Sequence, residues 1–251
     1  MIPNEVHFVY GLLEQKDEFI FPYYLAIYSC YLINKPDSIT FHYQYEPHGE
    51  WWDKVKQIPC IKFEEVVAPT HIGSKKIKKF AHAADKLRMD ILYTRGGIYM
   101  DIDTICVRPY HHLLKNSVVL GQQQPYRICN AIMMTEKKSE FFRIWLDEYE
   151  KHFNPDGWEE SSIILPDTLA KQHPDLLSLQ SKKVFFYPGW TSTYDIFVRE
   201  YDIPDEMIAL HLWESHSIKY MKRIENWNWI YFNSHTLYGK IMLNLLVQIE
   251  L

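Results

Sequence analysis

Two aspartates one residue apart, Asp101 and Asp103, close the apolar run Tyr99-Met100-Asp101-Ile102-Asp103. Read as a strand, this segment puts both carboxylates on one side, because side chains alternate with period two. Two like charges held side by side need a cation or strong donors to offset them. Their hard oxygens suit Mg²⁺ or Mn²⁺, ions that keep open positions for phosphate groups. The bland alternative is a pair of solvated turn residues, which a bare Asp-x-Asp often is. Ile98 and Met100 favour a strand that leaves the core and delivers the pair at its C-terminal end, the edge where open α/β sheets bind ligands.

The element before the strand shares this chemistry. Ile77–Arg95 reads as a helix in which Asp85 and Arg88, three apart, lie on one face. They form either a surface ion pair worth ~0–1 kcal/mol or a fork donor and a hydroxyl acceptor aimed at the same cleft as the aspartates. Gly96-Gly97 ends the helix where a left-handed cap is needed and turns the chain at once into the strand Gly97–Cys106.

Upstream, strand candidates Glu5–Tyr10, Ser38–Tyr45 and Cys60–Val67 alternate with helix candidates Phe19–Asn34, stopped by Pro36, and Glu50–Gln57. That order predicts an α/β sheet with mainly parallel central strands. The loop Ala68–Lys76 is the one candidate hinge in this half. Downstream, Val118–Gln122, Ile128–Thr135, Val184–Tyr187 and Met207–Trp213 read as strands. Ser139–His152 and Ser161–Gln172 read as helices, the second capped by Ser161 or Ser162. Ser234–Ile249 sets Leu237, Ile241, Leu245 and Ile249 on one face, a terminal helix for packing on the body or, alternatively, for a partner or membrane.

Charge and composition exclude some classes. A formal net charge of −5 argues against a general nucleic-acid binder. The basic run Lys75, Lys76, Lys78 and Lys79 is a solvated helix start or a patch facing an anionic acceptor or a membrane surface. Eighteen Tyr and eight Trp fill a core or line a cleft that stacks rings on bases or sugars. Cys30, Cys60, Cys106 and Cys129 have neither zinc-site nor disulfide-framework spacing. No signal-peptide pattern or membrane-spanning run is visible, so a soluble chain in the reducing cytoplasm is expected.

The stretch Ala81–Thr104, AHAADKLRMDILYTRGGIYMDIDT, resembles the signature of the DXD-containing sugar-nucleotide glycosyltransferases of family 32. That family includes yeast mannosyltransferases, capsular polysaccharide enzymes and α1,4-galactosyltransferases, and the glucosylating clostridial toxins have a related core. The match is close over this stretch and loose over two thirds of the chain. It implies a single GT-A domain over residues 1–251: a Rossmann-like mixed α/β sheet flanked by helices. Residues 1–110 would hold nucleotide-sugar and metal, and the less regular residues 111–251 the acceptor.

It further implies a nucleoside-diphosphate sugar donor (UDP-sugar favoured over GDP-sugar), Mn²⁺ or Mg²⁺, and transfer to a glycan, lipid or protein hydroxyl with retention. Carried over by position, Asp103 is the direct metal ligand, and Asp101 contacts ribose, sugar or metal-bound water. Asp85 and Arg88 hold sugar hydroxyls, Tyr99 supports the site, and Gly96 and Gly97 join helix to aspartates in one donor-binding unit. IPNEVHFVYG is similar to the family's opening strand, so Val9 and Tyr10 would line the base, with Tyr10 stacking on it. His7 also matches, although a core histidine is as good a reading. Asn130 in ICNAIMM would face donor sugar and acceptor. In ALHLWESHS, His211 would complete the metal or diphosphate shell, and Trp213 and Ser215 would cover the pyrophosphate. A histidine ligand suits Mn²⁺ better than Mg²⁺.

The chain departs from the pattern at Leu165-Pro166, where many members carry Gly-Pro, and at Ser215-His216, where Ser-Trp is usual. Asp167, Asp195, Glu159 and Glu160 read as solvated surface rather than as bases. The alternatives are a binding protein of the same fold without turnover, against which the intact Asp85, Arg88, Asp101 and Asp103 argue, and a sugar-nucleotide phosphohydrolase. The latter typically needs ligands for a second metal, which the His111-His112 pair does not supply.

Overall fold

Val6, His7, Phe8 and Val9 are buried in succession, a pattern that a strand covered on both faces permits. In the computed structural model, which describes residues 1–249 and side chains up to residue 247, this segment is β1 (Glu5–Val9). It leads into α1 (Phe21–Asn34), β2 (Ser38–Tyr43), α2 (Glu50–Val55) and β3 (Ile61–Glu65). α1 carries Pro22 in its first turn, where a missing N–H costs nothing, and closes at Lys35 in the left-handed conformation, φ 43°. It starts two residues later than expected, because Ile20 before it is extended, φ −86° and ψ 157°.

The expected hinge is instead a small hairpin, β4 (His71–Ile72) with β5 (Lys75–Lys76). Ile77 still donates to Thr70 O across it, so α3 begins only at Phe80 and runs to Arg95. The strand expected over Gly97–Cys106 is broken. β6 (Gly97–Met100) and β7 (Thr104–Cys106) belong to different sheets. β8 (Val118–Gln124) and β9 (Arg127–Thr135) follow, then α4 (Glu140–His152).

A π-helical turn, Glu160–Ile164, feeds α5 (Leu165–Gln172). Ser161 and Ser162 lie buried inside that turn and neither caps a helix. β10 (Ser178–Gln180) precedes α6 (Lys182–Phe185), so the strand expected at Val184–Tyr187 is wrong: Phe185 and Phe186 close under β8, against Gly121. The remaining elements are α7 (Thr193–Phe197), β11 (Ala209–His211), α8 (Glu214–Met221), α9 (Trp227–Phe232) and α10 (Leu237–Ile249).

The main sheet has seven strands in the order β10-β8-β9-β6-β1-β2-β3. β3, β2, β1 and β6 are parallel, as the alternation of strand and helix predicts, whereas β9 runs antiparallel to both β6 and β8. The result is a mixed α/β sheet flanked by helices. Its faces sort by residue parity: Ile98 and Met100 enter one core with α1 and α10, and Tyr99 enters the other with α3 and α4. On α10, Leu237, Ile241 and Leu245 are buried against the first core, as the spacing predicts; the Ile249 side chain lies outside the described residues. Among the described residues, no helix is long and apolar enough to cross a membrane.

His7 on β1 and His42 on β2 meet inside the sheet, Nδ1 to Nε2 at 3.2 Å. Burial, then the neighbouring His42 ring, lowers His7 to about 3. Burial, helped by Arg95 and opposed by Glu64, lowers His42 to about 4. Folded pKa values below the unfolded 6.5 mean that the unfolded chain takes up protons that the folded chain refuses. Stability is therefore expected to fall as pH drops below 6.5, by about 1.4 kcal/mol per pH unit per proton, levelling only near pH 3–4. Urea titrations at stepped pH check this. The slope should flatten in His42→Gln, and an unchanged slope would assign the acid sensitivity elsewhere.

Candidate active site

β6 ends at Met100 because the chain changes partner there. The Asp101 N–H completes the ladder to β9 by donating to Ala131 O at 2.8 Å, and the Thr104 N–H returns to Asp101 O at 3.0 Å. Asp101, Ile102 and Asp103 thus form a turn between two sheets. The carboxylates converge through that turn and not through strand alternation. β7 then pairs with β11, setting His211 opposite Thr104, and Leu212 N–H donates to Asp103 O at 2.8 Å. The His211 Nε2 atom comes to 3.2 Å from Asp103 Oδ1 and 3.9 Å from Asp101 Oδ2. Asp101, Asp103 and His211 each offer one ligand atom, and those atoms lie within 4.8 Å of one another. Among the described residues no other His, Cys, Asp or Glu group of three or more does so.

Each carboxylate has its own donors. Tyr99 Oη donates to Asp101 Oδ1 at 2.6 Å, and Arg88 Nη1 sits 3.0 Å from the same oxygen, its guanidinium 4.6 Å from the centre of the Tyr99 ring. Arg88 also donates to the carbonyl of Asn130. Asp85 accepts from Asn130 Nδ2 at 2.7 Å and lies 3.7 Å from Arg88 Nε. Both Asp85 and Arg88 are buried, which removes the surface ion pair as a reading. Asp103 accepts the Glu214 N–H at 2.7 Å, and the Glu214 carboxylate in turn accepts from Tyr23 Oη at 2.5 Å.

Burial raises the Asp101 carboxyl, and Arg88 only partly offsets this, with Asp103 adding to the rise. Burial also acts upward on Asp103, but His211 and the Glu214 amide outweigh it and the net shift is down. Burial lowers His211, yet the two aspartates raise it overall. The set of two carboxylates and one imidazole, with Nε2 turned toward the oxygens, fits a divalent cation. His211 Nδ1 is buried without a partner among the described residues. The ring is held by packing on Trp213, centroid to centroid 4.2 Å, and on Phe186.

Two cavities, of about 680 and 560 Å³, meet at this cluster. Asp101, His211, Trp213, Ser215, Ala81 and Trp158 line both. Val9 and Tyr10 line the first, where Tyr10 packs edge-on against Phe19. Asp85 and Asn130 line the second. Trp213 holds a left-handed backbone, φ 58°, that a bulky residue adopts only under constraint; its Nε1 donates to Pro188 O at 2.9 Å. Tyr99 lies beneath Asp101, as a support would.

Three expected site residues line neither cavity: Tyr99, which lies beneath Asp101, and two more. His7 is locked against His42 in the sheet. Gly97, at φ 98°, is required because a Cβ there would stand 2.4 Å from Glu5 O. Gly96 has the expected positive φ, 75°, but with ψ −165° rather than a left-handed helical value.

Other readings change as well. Lys75, Lys78 and Lys79 are not a free basic patch: they tie down residues 153–157, through Phe153 O, the Asp156 carboxylate and Gly157 O. That segment presents Trp158 to both cavities. Asp167 is buried beside Lys171, not solvated, and Asp195 pairs with Arg199 at 3.5 Å; neither lines the cavities. Glu159, expected on the surface, pairs with Arg127 in the wall of the second cavity. Glu160 accepts the Trp158 N–H at 2.7 Å. Leu165-Pro166 lies outside both cavities, and His111 bonds Asn34 O, away from the cluster. Sequence reasoning missed Glu214, Gln123, Trp158 and Trp190. For Glu214, its place inside ALHLWESHS was a usable signal; for Trp158, a large aromatic after the turn-forming Asn-Pro-Asp-Gly.

The family described as the glycosyltransferase sugar-binding region containing the DXD motif matches residues 29–126. Glucan organizing enzyme 1 of Cryptococcus neoformans var. grubii is 33% identical over 244 residues, 89% of this chain and 66% of that protein. The lactosylceramide 4-alpha-galactosyltransferase of Rattus norvegicus is 26% identical over 152 residues, 53% of this chain and 41% of its own length. The chain therefore spans only part of each of these curated relatives. Among solved structures, the galactosyltransferase LgtC shares 14% identity at a TM-score of 0.48, covering 82% of this chain and 86% of that one. The chain carries the sugar-binding region of the DXD-containing glycosyltransferases.

Removing Arg88 leaves the buried Asp85 and the half-buried Asp101 without their guanidinium. Arg88→Ala is expected to lose about 3–5 kcal/mol of unfolding free energy, measured by urea denaturation. A loss below about 1 kcal/mol, the scale of an exposed pair, would show that Asp85 and Asp101 do not depend on Arg88.

Proposed function

We propose that this chain moves a sugar from a nucleoside-diphosphate sugar to an acceptor hydroxyl, using Mn²⁺ or Mg²⁺ and retaining the anomeric configuration. The observation that carries this reading is the Asp101–Asp103–His211 cluster at the junction of two cavities. These three residues would hold the cation, which when bound supplies Lewis-acid neutralisation of the departing diphosphate. The imidazole favours Mn²⁺ over Mg²⁺.

The chain's own groups divide the remaining work. Tyr10 and Val9 receive the base in the first cavity, and Trp213 and Ser215 cover the diphosphate. Asp85 and Asn130, hydrogen-bonded to each other, address hydroxyls of the donor sugar. Arg88 is already committed to Asp101 and to Asn130 O, so its part is to hold them in place rather than to grip the sugar. Of the carboxylates that line the second cavity, Asp85, Asp101 and Glu159, each already has a partner, in Asn130, Tyr99 and Arg127 respectively. A donor phosphate oxygen can then take the acceptor proton. The family resemblance favours UDP over GDP. Four free cysteines suit a reducing, cytoplasmic setting.

A thermal-shift panel of nucleoside diphosphates with and without Mn²⁺ tests the donor side, because a ligand that binds only the folded state raises apparent stability. UDP with Mn²⁺ is expected to stabilise the protein, and chelator to remove the effect. Asp103→Ala should lose the metal-dependent part while still folding, and near-normal stabilisation in that variant would sink the cation assignment. Tyr10→Ala should weaken nucleoside diphosphate binding by about tenfold and leave the Mn²⁺ response alone; equal affinity would remove Tyr10 from the base site.

A further inference from the structure

Two stretches of the chain contain no Asp, Glu, Lys or Arg, residues that make up 24% of the whole: Phe19–Asn34 and Asn226–Gly239. Charges resume only at their borders, at Glu18 and Lys35 and at Glu225 and Lys240. The first stretch holds α1 and the second α9. Folding brings them together, with the rings of Phe21 and Trp227 at 5.4 Å. From there a run of rings continues along α1. Trp51 of α2 meets Phe21 at 4.2 Å and Tyr24 at 5.5 Å, and Tyr24, Tyr28 and Tyr31 follow one another at 5.2 and 6.2 Å. This run is not core. Ala26, Ser29 and Cys30 form the buried side of α1, whereas Tyr24, Tyr28 and Tyr31 are half-buried on the opposite side, where a surface helix ordinarily carries charges. On α9, Trp227 and Tyr231 are four residues apart and share a side. Tyr231 is 53% exposed and its neighbour Phe232 84%.

We propose that this charge-free aromatic face of α1 and α9 seats the protein on the surface of a lipid bilayer. Tyr and Trp suit that boundary, having an apolar body for the acyl side and a polar tip for the wet side. The lack of charge matters because a charge carried below the headgroups is costly. Phe232, nearly bare at the end of α9, is the side chain that enters the apolar layer. Among the described residues no helix is long and apolar enough to cross a membrane, so the contact is that of a surface lying on the bilayer. A second copy of the chain would need a hollow to receive Phe232. The two cavities at the cation cluster and three smaller ones are lined by no residue of α9 and by none of Tyr24, Tyr28 and Tyr31. A fluid bilayer needs no preformed hollow. A glycan would need open ring faces, but Tyr24 and Tyr28 turn theirs to each other, 16° from parallel, and leave edges outward. The proposal uses no residue of the two cavities at the cluster and no metal, so it stands apart from the donor reading.

The test sediments the full chain with vesicles of phosphatidylcholine and follows tryptophan emission. Binding with a blue shift is expected, equal with Mn²⁺ or chelator. Because the face carries no charge, binding should persist at about 1 M salt, where attraction between surface charges is screened. Phe232→Asp should weaken it about tenfold or more, and Phe232→Trp should keep it. Leu179→Asp, an equally drastic change at an exposed position on edge strand β10, should leave it unchanged. Phe232 is so exposed that its loss leaves the core intact, and circular dichroism of each variant checks this. Absence of sedimentation, or binding indifferent to Phe232→Asp, would overturn the proposal. So would binding that requires anionic phosphatidylserine and is released by salt, since charges elsewhere on the surface would then do the docking. Self-association in lipid-free solution that Phe232→Asp abolishes would assign the face to a second copy and overturn it as well. UDP binding is read separately: its absence in a protein that sediments with vesicles counts against the donor reading alone.

Discussion

Three carboxylates, Asp85, Asp101 and Asp103, share a largely buried region with one guanidinium, that of Arg88. Each carboxylate removed from water costs several kcal/mol unless charge and hydrogen bonds return it. The region meets this demand locally. Tyr99 and Arg88 serve Asp101, Asn130 serves Asp85, and the Glu214 amide with His211 serves Asp103. The formal charge is still uneven: three negative groups face one permanent positive one, and the aspartates pull His211 toward protonation. A site with that imbalance and its ligand atoms converging is disposed toward a divalent cation, and this supports the cofactor proposed for it.

The fold makes the concentration possible by changing strand partners twice within a few residues. β6 runs parallel to β1 on one side and antiparallel to β9 on the other, and the antiparallel contact carries Asn130 and Ala131 past the end of β6. The chain then turns through the aspartates and pairs β7 with β11, which brings His211 across from Thr104. One turn therefore receives side chains from two sheets. α3 must sit close behind it for Arg88 to reach, and the Gly96-Gly97 connection allows that approach: a side chain at Gly97 would collide with the β1 backbone at Glu5.

What was legible in the sequence follows from this geometry. The parallel half of the sheet, α3 and α10 could be read because their periodicity reports burial on local faces. Asp85, Arg88, Asp101 and Asp103 could be read because they lie within nineteen consecutive residues joined by one short connection. The broken strand at Asp101 was not legible, since Ile102 and Ile105 continue an apolar pattern across the change of partner. Val184–Tyr187 has the composition of a strand, but its apolar side chains serve a helix that closes under Gly121. His7 matched a motif and still faces a second histidine, because a strand buried on both faces sends alternate residues to different cores. Trp190 and Gln123 could not be found at all: their meeting depends on tertiary placement of loops, and no local period marks it.

The shared wall between the cavities bears on how donor and acceptor would meet. Asp101, His211, Trp213 and Ser215 line both spaces, so a ligand in the second cavity borders the first at the cluster proposed to hold the diphosphate. Trp158 borders both cavities from a loop tied by Lys75, Lys78 and Lys79 to residues 153–157. Of these ties, the exposed Lys78–Asp156 pair contributes little on its own. The contacts to backbone carbonyls fix the loop's position with more geometric precision than an ion pair would. These ties hold the segment that presents Trp158 to both cavities.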